Sequence, residues 1–211
     1  MKILIKKIRR KLINNSKTLP KYFKIAGLIE KDSKVLDFGC WQGDLSRILI
    51  ERKNAKVIGC DLINKSDFKH KNFKYRKVTK SNNFPFKEKF DYIIFADVLE
   101  HLENPQKILG DAFKHTNKCI VSIPNLNFFL YRLFPKLENP PVELTSHLHH
   151  WKLSSFKKVL PSNVKIKKIK YCSDFPEFRW TNYFPFKNKS FFNQTLIMEL
   201  ENEDMRDSYL V

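Results

Sequence analysis

The run Lys34-Val-Leu-Asp-Phe-Gly-Cys-Trp-Gln-Gly43 limits what this chain can fold into more than any other stretch. Val35, Leu36 and Phe38 form a short apolar run, and Gly39 and Gly43 bracket a tight turn. Behind the turn, Leu45, Ile48 and Leu49 recur at i, i+3 and i+4, which is one face of a helix. Buried strand, glycine turn and helix in that order make the opening unit of a parallel α/β sheet. Such sheets take ligands outside the carboxyl ends of their strands. An acid at a strand end and N–H groups at a helix start hold a small polar molecule between them.

A second strand, Lys56–Asp61, ends on an acid 24 residues after Asp37. In nucleoside-binding α/β folds an acid about 20 residues past the glycine turn accepts the ribose hydroxyls. A carboxylate suits a diol because its two oxygens accept two O–H donors. Residues 62–71 are short and polar, so the usual second helix is reduced or missing. Further strands are predicted over 73–78, 90–96, 118–123, 164–171 and 191–200. The run over 90–96 is apolar almost throughout, as in a central parallel strand. Helices are predicted over 22–29, 44–52, 105–116 and 153–160.

The chain has 211 residues, enough for one α/β domain with a sizeable core. We expect one domain over 1–200 and an acidic tail over 201–211. Residues 125–150 are expected to form a lid or insert, in which the aromatic stretch 128–134 reads equally as acceptor wall or core. Cys40, Cys60, Cys119 and Cys172 are too far apart in sequence for a zinc pattern, and free thiols in a reducing, cytoplasmic setting are expected. No apolar run nears the roughly 20 residues of a membrane span. Residues 1–29 carry nine Lys/Arg and no acid, and basic residues occupy the place where a signal peptide needs its apolar core. Leu4, Ile8 and Leu12 stripe a basic amphipathic helix there, which reads as packing on the sheet or as contact with a membrane surface.

The formal charge of +18 admits an anionic partner: nucleic acid, a membrane surface or a phosphorylated substrate. It also fits compositional bias toward lysine, and bias is the preferred reading because charge informs on partners rather than on fold. No nucleic-acid-binding module is visible, which disfavours nucleic acid.

Four stretches together carry a family resemblance: Val35-Leu-Asp-Phe-Gly-Cys-Trp-Gln-Gly43, Gly59-Cys-Asp61, the run from Phe90 through Asp97-Val-Leu-Glu-His-Leu-Glu-Asn-Pro105, and Ser122-Ile-Pro-Asn125. They resemble class I S-adenosylmethionine-dependent methyltransferases, within the broad subgroup of ubiquinone-pathway and MetW-like proteins. The His-Leu-His-His-Trp run ending at Trp151 also recurs there. The resemblance implies a Rossmann-like seven-stranded sheet, mostly parallel with an antiparallel seventh strand and helices on both faces. It implies that Asp37, Gly39 and Gly43 cradle the methionine part of S-adenosylmethionine, with Cys40 and Trp41 of the same turn also counted as cofactor-binding. Asp61 and Leu62 would meet the ribose, and Asp97 and Val98 would lie along the cofactor. Two departures stand out. Trp41 replaces the family's third glycine, so its side chain must point away. The acid that contacts adenine is missing near Lys80, and Asn82 or Asn83 is the candidate replacement.

The expected activity is methyl transfer to a small-molecule, lipid-like or saccharide acceptor. A base is needed only for a hydroxyl or acidic carbon nucleophile. His101 and His149 are the candidates carried forward, with His147 and His150 beside them. Two other readings stay open. One is a non-catalytic, MetW-like binding protein. The other is a metal-dependent RNA 2′-O-methyltransferase of the Hen1 type, in which Asp97, Glu100, His101 and a later histidine hold the ion. Because the Leu-Glu-His spelling is common in metal-free relatives, no metal ligand is assigned from sequence.

Overall fold

The computed structural model describes residues 19–79, 84–133, 147–183 and 187–204. The predicted basic helix around Leu4–Leu12, Asn83, half of the proposed insert and the chain from 205 onward lie outside these residues.

Seven strands form one sheet: β1 (Lys34–Phe38), β2 (Lys56–Asp61), β3 (Phe73–Lys77), β4 (Tyr92–Ala96), β5 (Lys118–Pro124), β6 (Val164–Cys172) and β7 (Thr195–Asn202). Their order is β3-β2-β1-β4-β5-β7-β6. Strands β1 to β5 pair in parallel, and β7 lies antiparallel between β5 and β6. This is the sheet the resemblance implied. The order reverses at β1, which pairs with β2 on one side and β4 on the other, so a crevice opens above the ends of these three strands.

Both faces of the sheet are covered. Leu36, Ile93, Phe95 and Val121 point to one face, where they pack with Ile108, Leu109 and Ala112 of helix α3 (Pro105–Ala112). Val35, Ile94, Ile120 and Ile197 point to the other, against Ile25 of α1 (Pro20–Ala26) and Leu45 and Leu49 of α2 (Asp44–Lys53). Successive strand residues alternate between two cores, which is why the central strands read as continuous apolar runs. The four cysteines are buried and free.

Several boundaries differ from expectation, among them the helices found at Pro20–Ala26 and Leu153–Phe156 and the strand at Tyr92–Ala96, and three have a clear local reason. Helix α3 stops at Ala112 instead of 116: the N–H groups of Lys114 and His115 reach back three residues, and Thr116 Oγ1 donates to the Asp91 carbonyl. The stretch 191–200 is not one strand. Asn188 caps a turn of helix, α4 (Lys189–Phe192), and Asn193 Nδ2 donates to the Lys189 carbonyl at 2.9 Å, so β7 begins only at Thr195. That strand then runs on to Asn202, taking in two residues assigned to the tail.

Candidate active site

The turn after β1 is built as its glycines suggest. Gly39 and Gly43 have φ of 77° and 87°, the left-handed region. The N–H groups of Gly39 and Cys40 both donate to the Cys60 carbonyl, at 2.8 and 3.0 Å, which ties the turn to β2. A Cβ on Gly39 would meet Val98 Cγ2 at 2.4 Å, so nothing larger fits beneath the crevice floor. Trp41 also has a positive φ, 47°. The backbone therefore keeps the conformation for which relatives use glycine, while the indole turns outward, 61% exposed.

Asp61 closes the other side. Its Oδ2 accepts the Trp41 N–H at 2.8 Å and its Oδ1 the Leu62 N–H at 2.7 Å. Oδ1 also accepts the Ile63 N–H, more weakly at 3.4 Å, so of about four lone-pair sites one on Oδ2 is left free, and a second hydroxyl donor would share Oδ1 with that weaker contact. Asp37 is buried beneath the turn. Ser46 Oγ donates to its Oδ2 at 2.6 Å, while Oδ1 has no partner among the described residues. Burial pushes its carboxyl up to about 6, against the Ser46 hydrogen bond.

These groups border a cavity of about 430 Å³. Of the predicted cofactor residues, Gly39, Trp41, Asp61, Leu62, Asp97 and Val98 line it. Asp37, Cys40 and Gly43 support the turn without lining the cavity, and Asn83 falls outside the described residues. His101 lines the cavity and His149 does not. The His149 ring instead stacks on Trp151 at 5.1 Å with Nε2 2.9 Å from the Leu102 carbonyl oxygen.

Lys21 was not among the candidates, yet it forms part of the wall. It extends from α1 to an ion pair with Asp97, and its Nζ lies 3.5 Å from Asp174 Oδ2. Burial alone would pull the ammonium down, but Asp97 and Asp174 outweigh it and hold Lys21 above the ordinary lysine range. Asp97 sits at φ 55° and its second oxygen accepts from Ser122 Oγ at 2.7 Å, so both oxygens are engaged. Sequence holds one clue to Lys21. It lies four residues before Ile25 on the buried stripe of α1, a charge where the pattern wants an apolar residue.

Beyond Asp97 the chain makes one 3-10 turn, Leu99–His101. Glu100 is wholly buried, and neither carboxylate oxygen has a hydrogen-bond partner among the described residues. Burial, with the Asp97 charge adding to it, pushes this carboxyl up to about 9. The His147 ring meets that of His101 edge-on at 4.7 Å, and burial chiefly pushes His147 down to about 4. Glu100, His101 and His147 offer ligand atoms within 4.8 Å of one another.

A methyltransferase-domain family model matches residues 6–163. The chain belongs to that methyltransferase family. It is an enzyme whose methyl donor is S-adenosylmethionine, as the motifs around Gly39 and Asp61 imply. Comparison with curated proteins gives no match. Among solved structures, the chain resembles an S-adenosylmethionine-dependent methyltransferase from Mesorhizobium loti, with TM-score 0.63 and 13% identity over 89% of this chain and 99% of that one. It resembles the plantazolicin methyltransferase BpumL, solved with a monoazolic desmethylPZN analog and SAH, with TM-score 0.62 and 14% identity over 93% and 89%. It also resembles the small RNA methyltransferase HEN1, with TM-score 0.62 and 17% identity, over 87% of this chain but 25% of that one. At these identities the likeness is one of fold.

The cavity suits the donor. Its volume falls in the range of about 300–1,000 Å³ usual for small-molecule sites. Among the described residues, three lining carboxylates, Asp61, Asp97 and Glu103, stand against one ammonium, that of Lys21, which complements a cationic sulfonium. The close floor at Gly39 is a further mark of a place built for a guest.

Proposed function

We propose that this enzyme methylates a small-molecule, lipid-like or saccharide acceptor that enters beside His101. The observation that carries the reading is the cavity itself, bounded by the Gly39 bend, the Asp61 carboxylate and His101. BpumL, which shares the fold, was solved with a small-molecule analog, and that supports an acceptor of the same scale. The acidic lining makes a neutral or cationic acceptor a better guest than the anionic one the overall charge suggested.

S-adenosylmethionine supplies a methyl already activated on a sulfonium. What remains for the protein is position, which can be worth about 7–11 kcal/mol in an in-line displacement. Asp61 holds the ribose hydroxyls. The turn that Asp37 supports holds the methionine end. Lys21 and Ser122 fix Asp97 so that the wall beneath the acceptor does not move. Where the nucleophile is a hydroxyl, His101 takes its proton. His149, bonded to the loop, takes no part.

Calorimetric titration with S-adenosylhomocysteine tests the donor site. Wild type should bind, and Asp61→Ala should lose at least about 100-fold, the worth of two hydrogen bonds to a charged group. Release of S-adenosylhomocysteine across a panel of hydroxyl and amine acceptors tests the rest. Binding with no turnover on any acceptor would point to the non-catalytic reading.

A further inference from the structure

A carboxylate does not sit in a protein interior without a partner, because its charge then has neither water nor a hydrogen bond. Glu100 has no exposed surface and two unpartnered oxygens among the described residues. The polar atoms that do converge on it are imidazole nitrogens. His147 Nδ1 is buried and also without a partner among the described residues, and His101 completes the group.

The fold holds this group together from two distant segments. The Glu100 carbonyl accepts the N–H groups of Leu148 and His149, at 2.8 and 3.2 Å. Beside it the His149 ring is bonded to the Leu102 carbonyl. The loop carrying His147 is thus fastened to the turn carrying Glu100 and His101. Asp97, which the sequence pattern would include, is not part of the group, because Lys21 and Ser122 occupy its oxygens.

We infer that Glu100, His101 and His147 form a site for a divalent first-row transition ion such as Mn²⁺, Fe²⁺ or Zn²⁺. Two imidazoles and one carboxylate suit these ions better than Ca²⁺ or Mg²⁺, which prefer oxygen. Ligand bonds of about 2.0–2.2 Å put neighbouring ligand atoms about 3–4 Å apart, so the group needs only a small contraction to close on an ion. Three protein ligands leave coordination positions open, and His101 belongs to both the site and the cavity wall. An open position on that side is placed to take water or an acceptor oxygen. The inference does not rest on the methyl-transfer reading, but it bears on one role in it: with an ion bound, His101 is a ligand and does not take the acceptor's proton.

The test is Mn²⁺ titration of the full-length protein, stripped with chelator, followed by loss of the free-ion electron paramagnetic resonance signal. Wild type should bind one ion per chain. Glu100→Gln and His147→Ala should each weaken binding by at least about tenfold, and His70→Ala, an exposed histidine elsewhere, should leave it unchanged. Because Glu100 is buried, folding of each variant is checked by circular dichroism. His147→Ala, on a partly exposed loop, keeps the test valid if Glu100→Gln fails to fold. No saturable binding at millimolar Mn²⁺, or equal affinity in folded His147→Ala, would overturn the site.

Discussion

Gly39 and Trp41 share a backbone conformation but carry opposite predictions. A methyl on Gly39 has nowhere to go, since Val98 Cγ2 lies 2.4 Å from the place it would occupy. Gly39→Ala should destabilise the protein by about 1–3 kcal/mol and weaken S-adenosylhomocysteine binding, readable by urea unfolding and calorimetry. Trp41→Gly relieves a left-handed strain of about 1–2 kcal/mol and removes an outward indole. Its unfolding midpoint should stay level or rise. Asp37 sets a pH dependence. Its proton is held more tightly in the folded state, because burial pushes the carboxyl from 3.8 to about 6. Both states are protonated below about pH 4, so the cost of folding the charged form is absent there. Stability then falls as pH rises through 4–6, by up to about 3 kcal/mol, and stays lower above. Asp37→Asn should flatten that part of the urea-midpoint profile of the ligand-free protein. The glycines and Asp61 could be found from sequence because their roles depend on neighbours in the chain. Lys21 was missed, because its role depends on a partner 76 residues away, and His147 was named only as one of several histidines, because what singles it out is a partner about 46 residues away.

At the level of elements, the short helix α1 is coupled to the crevice through one ammonium. Lys21→Met would leave Asp97 and Asp174 facing each other without their cation. Breaking a buried pair in this way costs about 3–5 kcal/mol, to be measured by denaturant unfolding. Strand β6 shows where pattern reading has a limit. Its alternation is imperfect because the pairing with β7 shifts register between Ile166 and Lys168. A bulge of this kind reverses the inward face partway along a strand. The misplaced start of β7 has a different origin. Phe191 and Phe192 read as strand residues, yet their rings pack against Phe129 at 5.6 and 6.4 Å while Asn188 and Asn193 close a helical turn. Aromatic packing across 60 residues outweighed local propensity there.

For the whole molecule, the sheet follows from a few strong signals: continuous apolar strands, a glycine turn and an acid at the end of β2. Phe95, with no exposed surface in the core of β4, should cost about 3–5 kcal/mol when truncated to Ala. Part of the +18 charge is spent on the exposed edge. Lys167 and Lys168 of β6 lie 3.5 and 3.0 Å from Glu201 and Glu199 of β7, which keeps a lysine-rich edge from pairing with another chain. The crevice is the exception to the basic surface, and its carboxylates are where a cationic nucleoside belongs. The most direct measurement is a crystal structure with S-adenosylhomocysteine bound. The expected result is a ribose diol on the Asp61 carboxylate with the homocysteine end over the Gly39 turn. A nucleoside bound elsewhere, with the crevice filled by the Trp41 indole, would contradict it.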